Sequence, residues 1–145
     1  MTIQIRHYQQ KDLTSLLAVW ENASRLAHPF MSDAFFDTER HNIPNLYIPN
    51  ADTWVAVFDK KVVGFIALIG NEVGGLFVEP KYHGKGFGKA LMDKAKELHD
   101  TLEVDVFKEN PIGRHFYERY GFKHLHEKTW DVTGDMIIRM AYTSD

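Results

Sequence analysis

The chain has 145 residues, 44% hydrophobic and 26% charged, with a formal net charge of −3 and no cysteine. This length and balance predict one globular domain over residues 1–145. The lack of cysteine excludes disulfides, thiolate metal sites and thiol catalysis, and the lack of a basic block argues against a nucleic-acid or membrane-surface binder.

No apolar run reaches membrane-spanning length, and the N-terminal residues MTIQIRHYQQ lack the apolar core of a signal peptide. With the missing cysteines, these features predict a cytoplasmic protein that does not engage a membrane.

Ile3 and Ile5 alternate with Gln4 and Arg6, as in a half-buried strand. Lys11-Asp12 leads into an amphipathic helix through Leu13, Leu16, Leu17 and Trp20 to about Leu26, which His28-Pro29-Phe30 ends. Ser32-Asp33 caps a second helix through Phe35, Phe36 and Arg40, and residues 43–50, with Pro44 and Pro49, predict a loop. Two strand-like runs, 53–58 and 62–69, form a hairpin around Asp59-Lys60-Lys61. Gly74-Gly75 in the next run predicts a bulge or a close backbone approach.

Phe77 and Val78 end this strand before Pro80, and Phe87, Leu91, Met92, Ala95 and Leu98 then fall on one helical face. Residues 102–107 alternate as a strand, and Pro111 opens a helix whose apolar stripe reads Ile112, Phe116 and Tyr120 before Gly121. Residues 122–130 and 136–142 pair around Thr133-Gly134. The order β-α-α-β-β-β-α-β-α-β-β predicts an α/β fold, a mixed sheet with helices on its faces.

Chemistry concentrates where Gly84, Gly86 and Gly88 separate a strand from a helix. The first N–H groups of a helix lack partners and carry the positive end of its dipole, and glycines let a phosphate approach the backbone. A phosphorylated ligand is expected at residues 84–89, with Lys85 and Lys89 either meeting phosphates or forming a solvated face.

The stretch His83-Gly84-Lys85-Gly86-Phe87-Gly88 resembles the acetyl-CoA-binding motif of the GCN5-related N-acetyltransferases (GNAT), Gln/Arg-x-x-Gly-x-Gly/Ala, with His83 in the leading place. A second stretch, Asn110 to Phe122, resembles the family's Asn-x-x-Ala-x-x-Phe-Tyr-x-x-x-Gly-Phe signature, with Gly113 where alanine is usual. Trp20, Ser24 and His28-Pro29-Phe30 are similar to a signature of small bacterial members. The resemblance implies a mostly antiparallel sheet of six to seven strands with about four helices, acetyl-CoA as co-substrate and no metal. Its acceptor would be a small-molecule, peptide or protein amine, and its assembly a monomer or homodimer.

Carried over, the resemblance places the cofactor against Phe77, Val78, His83, Gly84, Lys85, Gly86, Phe87, Gly88, Lys89 and Asn110, with the backbone N–H groups of Phe77 and Val78 facing the thioester. It makes Tyr117 the general acid. Asp105 is the candidate general base, Glu79 the alternative and His28 a third. His28 and Phe30 fall where the family builds its acceptor pocket, beside Phe35, Phe36 and Tyr47. Each charged group has a solvated-surface reading, and Tyr117 one as a half-buried helix aromatic. His124 and His126 share a strand face but lack a third ligand, so no metal site is expected.

Acetyl transfer fits these residue types, since an amine of pKa about 10.4 must lose a proton to attack and a departing thiolate must gain one. Two other functions compete. A non-catalytic CoA-binding protein of the same fold would need no intact acid and base. A dinucleotide-binding domain would use Asp105, about twenty residues beyond Gly84, as its ribose acid, but its glycines would read Gly-x-Gly-x-x-Gly.

Overall fold

The computed structural model describes residues 2–144. Seven strands, β1 (Gln4–His7), β2 (Asp52–Phe58), β3 (Lys61–Ile69), β4 (Glu72–Val78), β5 (Thr101–Phe107), β6 (Lys123–Thr129) and β7 (Met136–Thr143), form one sheet in the order β1-β2-β3-β4-β5-β7-β6. Helices α1 (Leu13–Ala27) and α2 (Asp33–Asn42) cover one face, and α3 (Phe87–Leu98) and α4 (Pro111–Tyr120) the other. None of the described helices is long and apolar enough to cross a membrane.

The predicted order of elements holds throughout. The α3 face, Phe87, Leu91, Met92 and Ala95, is buried against Val63, Ile66, Val104 and Met140. Burying each of its three large side chains contributes about 1.5–3 kcal/mol. On the opposite face Leu16, Val19 and Trp20 of α1 pack with Phe36, Val55 and Phe65. Asp12, which leads into α1, is buried and takes Arg6 of β1 through both carboxylate oxygens, at 2.8 and 3.0 Å. That contact holds its carboxyl below the usual range and ties the first strand to the helix.

Residues 43–50 are not the expected loop. Pro44 cannot donate to an α ladder, and the chain widens into a π-turn (Ile43–Tyr47) in which the N–H of Ile48 reaches the carbonyl of Ile43. A 3-10 turn, Ile48–Asn50, follows with Pro49 in its first turn.

The sheet is antiparallel except between β4 and β5, which pair in parallel only at Glu72 with Glu103 and Val73 with Val104. Ala67 of β3 faces Gly75 while Leu68 faces Val73, leaving Gly74 as an extra residue. This is the bulge the glycine pair predicted. A bulge bends its strand, and here it sits where β4 and β5 part.

Candidate active site

Beyond the bulge, β4 keeps β3 on one side and has no strand on the other. The N–H of Glu79 donates to the carbonyl of Val63 at 2.8 Å. By the two-residue alternation of an antiparallel ladder, Phe77 and Phe65 also exchange hydrogen bonds. The N–H groups of Leu76 and Val78 therefore point toward the gap. The outward Val78 carbonyl agrees, since it accepts the His83 ring Nε2 at 2.7 Å. Phe77, expected to present its N–H to a ligand, gives it to β3 instead, and that role falls to Val78 and Leu76.

The glycine turn crosses the end of this gap, and its glycines answer two different demands. Gly84 has φ 75° and Gly86 φ 92°, the left-handed region that side chains resist, yet a Cβ on Gly84 would meet nothing within 4 Å. Gly88 has ordinary helical geometry, but a Cβ there would lie 3.0 Å from Phe116. Gly86 caps α3, so the first helical N–H groups, from Phe87, Gly88 and Lys89, have no partner within the helix.

A cavity of about 760 Å³ opens in front of them, lined by Leu76, Phe77, Val78, His83, Gly84, Gly86, Gly88, Lys89, Asn110 and Tyr117 among others. An open strand edge, bare helix N–H groups and this volume fit the pantetheine and pyrophosphate of a coenzyme A thioester. Of the other expected contacts, Phe87 is 1% exposed and belongs to the core, and Lys85 stands over Tyr82 outside the cavity lining. Lys89 is ion-paired with Asp93 at 2.9 Å.

Helix α4 closes the cavity. The Asn110 side-chain oxygen Oδ1 accepts the N–H of Gly113 at 3.0 Å as the helix cap, and its side-chain nitrogen Nδ2 donates to His28 Nε2 at 3.3 Å. A Cβ on Gly113 would stand 2.6 Å from that amide, so glycine lets Asn110 fold over the helix start. The expected stripe of Ile112, Phe116 and Tyr120 is corrected, because Ile112 is 41% exposed and the buried residue of α4 is Tyr117. The helix lies with that side against Phe122 and the α3 layer. Tyr117 lines the cavity, its hydroxyl has no hydrogen-bond partner among the described residues, and burial pushes that hydroxyl well above its ordinary value.

On the other face a second cavity, of about 360 Å³, lies under α1 and α2. Its floor is the row Thr53, Ala67 and Gly75, three small residues side by side on β2, β3 and β4. Phe35, Tyr47, Phe65, Phe77, Phe107 and Trp130 contribute aromatic walls. The two cavities share His28 and Phe77 in their linings. Burial lowers the His28 pKa to about 4, so its imidazole is neutral near pH 7 and takes the Asn110 bond as an acceptor. Phe30 packs edge-on against His28 and Phe107 and is not part of either lining, and Phe36 is core.

Of the three expected base candidates, His28 lines both cavities and the two carboxylates lie apart. Asp105 lines the second cavity but bonds Arg139 at 3.1 Å and Lys128 at 3.3 Å. Arg139 also bridges Glu72 and Glu103, pinning β4 and β5 to β7 just before they part. Glu79 lines neither cavity and accepts a hydrogen bond from Asn22 at 2.7 Å. His124 and His126 flank a register shift in β6, and no group of three potential metal ligands occurs among the described residues.

Sequence reasoning missed Glu39, which lines the second cavity beside Tyr47. The signal was available: Glu39 follows Phe35 by four residues and so shares its helix face.

The family model of an acetyltransferase (GNAT) domain matches residues 49–124. The chain belongs to the GNAT acetyltransferase family. GNAT acetyltransferases use acetyl-CoA as acetyl donor, and this protein is an acyltransferase of that kind. It is 34% identical to the peptidyl-lysine N-acetyltransferase YjaB of Salmonella typhimurium over 85% of each chain. It is 31% identical to the peptidyl-lysine N-acetyltransferase YiaC of Escherichia coli, over 87% of this chain and 86% of the relative. The solution structure of apo YjaB from Escherichia coli superposes with a TM-score of 0.86 at 28% identity, covering 100% of both chains. The PaiA N-acetyltransferase of Thermoplasma acidophilum, solved with coenzyme A, shares the GNAT fold at a TM-score of 0.74 and 24% identity, over 98% of this chain and 100% of that one.

Proposed function

We propose that this GNAT protein moves an acetyl group from acetyl-CoA to a primary amine by direct attack within a ternary complex, as a single domain. The observation that carries this is the pair of cavities on opposite faces of the sheet, which share His28 and Phe77 at the β4–β5 gap. Such an arrangement lets donor and acceptor meet without a covalent enzyme intermediate, which suits a chain with no cysteine.

Each residue then has a task. The Val78 N–H, on the open edge of β4, donates to the carbonyl oxygen on which charge develops. Tyr117, kept protonated by burial, gives its proton to the departing sulfur. Asp105 receives the amine's proton through water, because it lines the acceptor cavity and Glu79 does not. Its carboxylate oxygens are already engaged by Arg139 and Lys128, so Asp105→Asn costs less activity than Tyr117→Phe. Asn110 and His28 form a fixed wall between the two cavities.

The names of the YjaB and YiaC relatives support a lysine side chain in a peptide as the acceptor to try first. The test is incubation with acetyl-CoA and lysine peptides, read by peptide mass and thiol release, beside thermal melts with CoA, acetyl-CoA and NAD. Acetylated peptide, with stabilisation by CoA and acetyl-CoA, is the expected result. Stabilisation without transfer to any peptide or small amine would make the protein a CoA-binding sensor, and stabilisation by NAD alone would return the dinucleotide reading.

A further inference from the structure

Three carboxylates line the acceptor cavity, and they are not equivalent. Glu72 and Asp105 are neutralised by Arg139, and Asp105 also by Lys128. Glu39 has no cationic partner among the described residues, and its one hydrogen bond comes from the Tyr47 hydroxyl at 3.1 Å. No lysine or arginine belongs to the cavity lining, and its one histidine, His28, is kept neutral.

Two more polar groups in this lining lack partners. Ser24 is 2% and Thr53 5% exposed, and neither hydroxyl has a hydrogen bond among the described residues. A buried hydroxyl without a partner costs free energy until a ligand supplies one. An aromatic cavity with an unneutralised carboxylate and vacant acceptor oxygens is complementary to a group rich in N–H donors and positively charged.

We propose that Glu39, held by Tyr47, anchors a second positive charge on the acceptor, separate from the amine that is acetylated. The anchor rests on reading this cavity as the acceptor site. Glu39 and Tyr47 line the acceptor cavity alone, whereas the cavities share His28 and Phe77, where the reacting amine must lie. The Glu39 carboxylate therefore belongs to a part of the lining that the cofactor cavity does not share, and the small floor and apolar walls make up much of the rest. The acceptors that match carry an apolar spacer between two amines, as in an α,ω-diamine or a lysine with a cationic neighbour. Burial also raises the Glu39 carboxyl above its ordinary range, a position that an incoming cation would relieve.

Binding to the CoA-saturated protein tests this without turnover, with cadaverine and n-pentylamine as probes of equal chain length. Calorimetry on the wild type is expected to show cadaverine bound roughly tenfold more tightly, the scale of one partly buried charge pair. Glu39→Gln should bring the ratio of the two affinities close to one, while Glu39→Asp, which keeps the charge, should retain part of it. Equal binding by the wild type, binding of neither probe, or a preference that survives in a folded Glu39→Gln would each overturn the anchor. Acetylation assayed in parallel separates the two levels. Acetylation with no preference for a diamine or for lysine peptides with a cationic neighbour refutes the anchor alone, and failure of all transfer refutes the acetyltransferase reaction while the calorimetric ratio still decides Glu39.

Discussion

The cofactor side and the acceptor side of this protein are built from different material. On the cofactor side the working groups are backbone: the open edge of β4, the Gly84–Gly86 turn and the bare N-terminus of α3. On the acceptor side they are mostly side chains, drawn from α1, α2, the turns at 43–50, all the strands from β2 to β5, β7 and the β6–β7 turn. A backbone site constrains a short contiguous stretch through dihedral angles and close approach, so it leaves a motif. A side-chain cavity needs only that scattered positions be small, aromatic or acidic. The first can stay fixed while the second changes its acceptor.

The sharpest way to break that division is Tyr117→Phe, since Tyr117 is the side chain on the cofactor side to which the proposed reaction gives a proton transfer. Removing the hydroxyl should lower kcat by roughly 10²–10⁴, the usual worth of a placed general acid. The acetyl-CoA affinity should hold, because backbone supplies it. The melting midpoint should hold too, because burial alone, with no hydrogen bond, acts on the hydroxyl among the described residues. A large fall in midpoint with normal turnover would make Tyr117 a packing residue.

What could be read in advance follows the same division. The turn at Gly84 and Gly86 and the bulge at Gly74 were legible because each position has one main physical solution. The face of α4 was not. Ile112, Phe116 and Tyr120 have the spacing of a buried stripe, but the cavity exposes Ile112 and the fold turns Tyr117 inward. The residue range 43–50 misled for a local reason, since two prolines signal a loop unless a widened helical turn absorbs them. The ion pairs of Asp105 were hidden because Lys128 and Arg139 reach it only through strand pairings far along the chain.

A smaller effect tests how the two halves are held in register. Arg139→Met would leave Glu72, Glu103 and Asp105 facing one another without their shared cation. These carboxylates are partly solvated, so the loss should be about 2–3 kcal/mol in denaturant unfolding, below the cost of breaking a fully buried pair. Adding Glu103→Gln should restore part of it. His28, between the cavities, gives an effect of about 2 kcal/mol on going from pH 7 to 5. Its folded pKa of about 4 lies below the ordinary value near 6.5, so the unfolded chain binds the proton first and stability falls as pH drops through that window. The folded His28 titrates only below that range. In His28→Gln, whose side-chain oxygen can still accept from Asn110, the slope of the midpoint over that pH range should be shallower.

The smallest expected change separates binding from folding on the acceptor side. Thr53 sits in the cavity floor with its hydroxyl buried and without a partner among the described residues. Thr53→Val removes a polar atom that the folded protein leaves unpaired, so stability should rise or stay within about 1 kcal/mol. If the hydroxyl serves the acceptor, KM for the amine should rise in the same variant while the acetyl-CoA KM stays fixed. A stability loss well beyond that limit would mean that Thr53 is bonded in the folded protein. An unchanged amine KM would mean that the acceptor does not reach the floor.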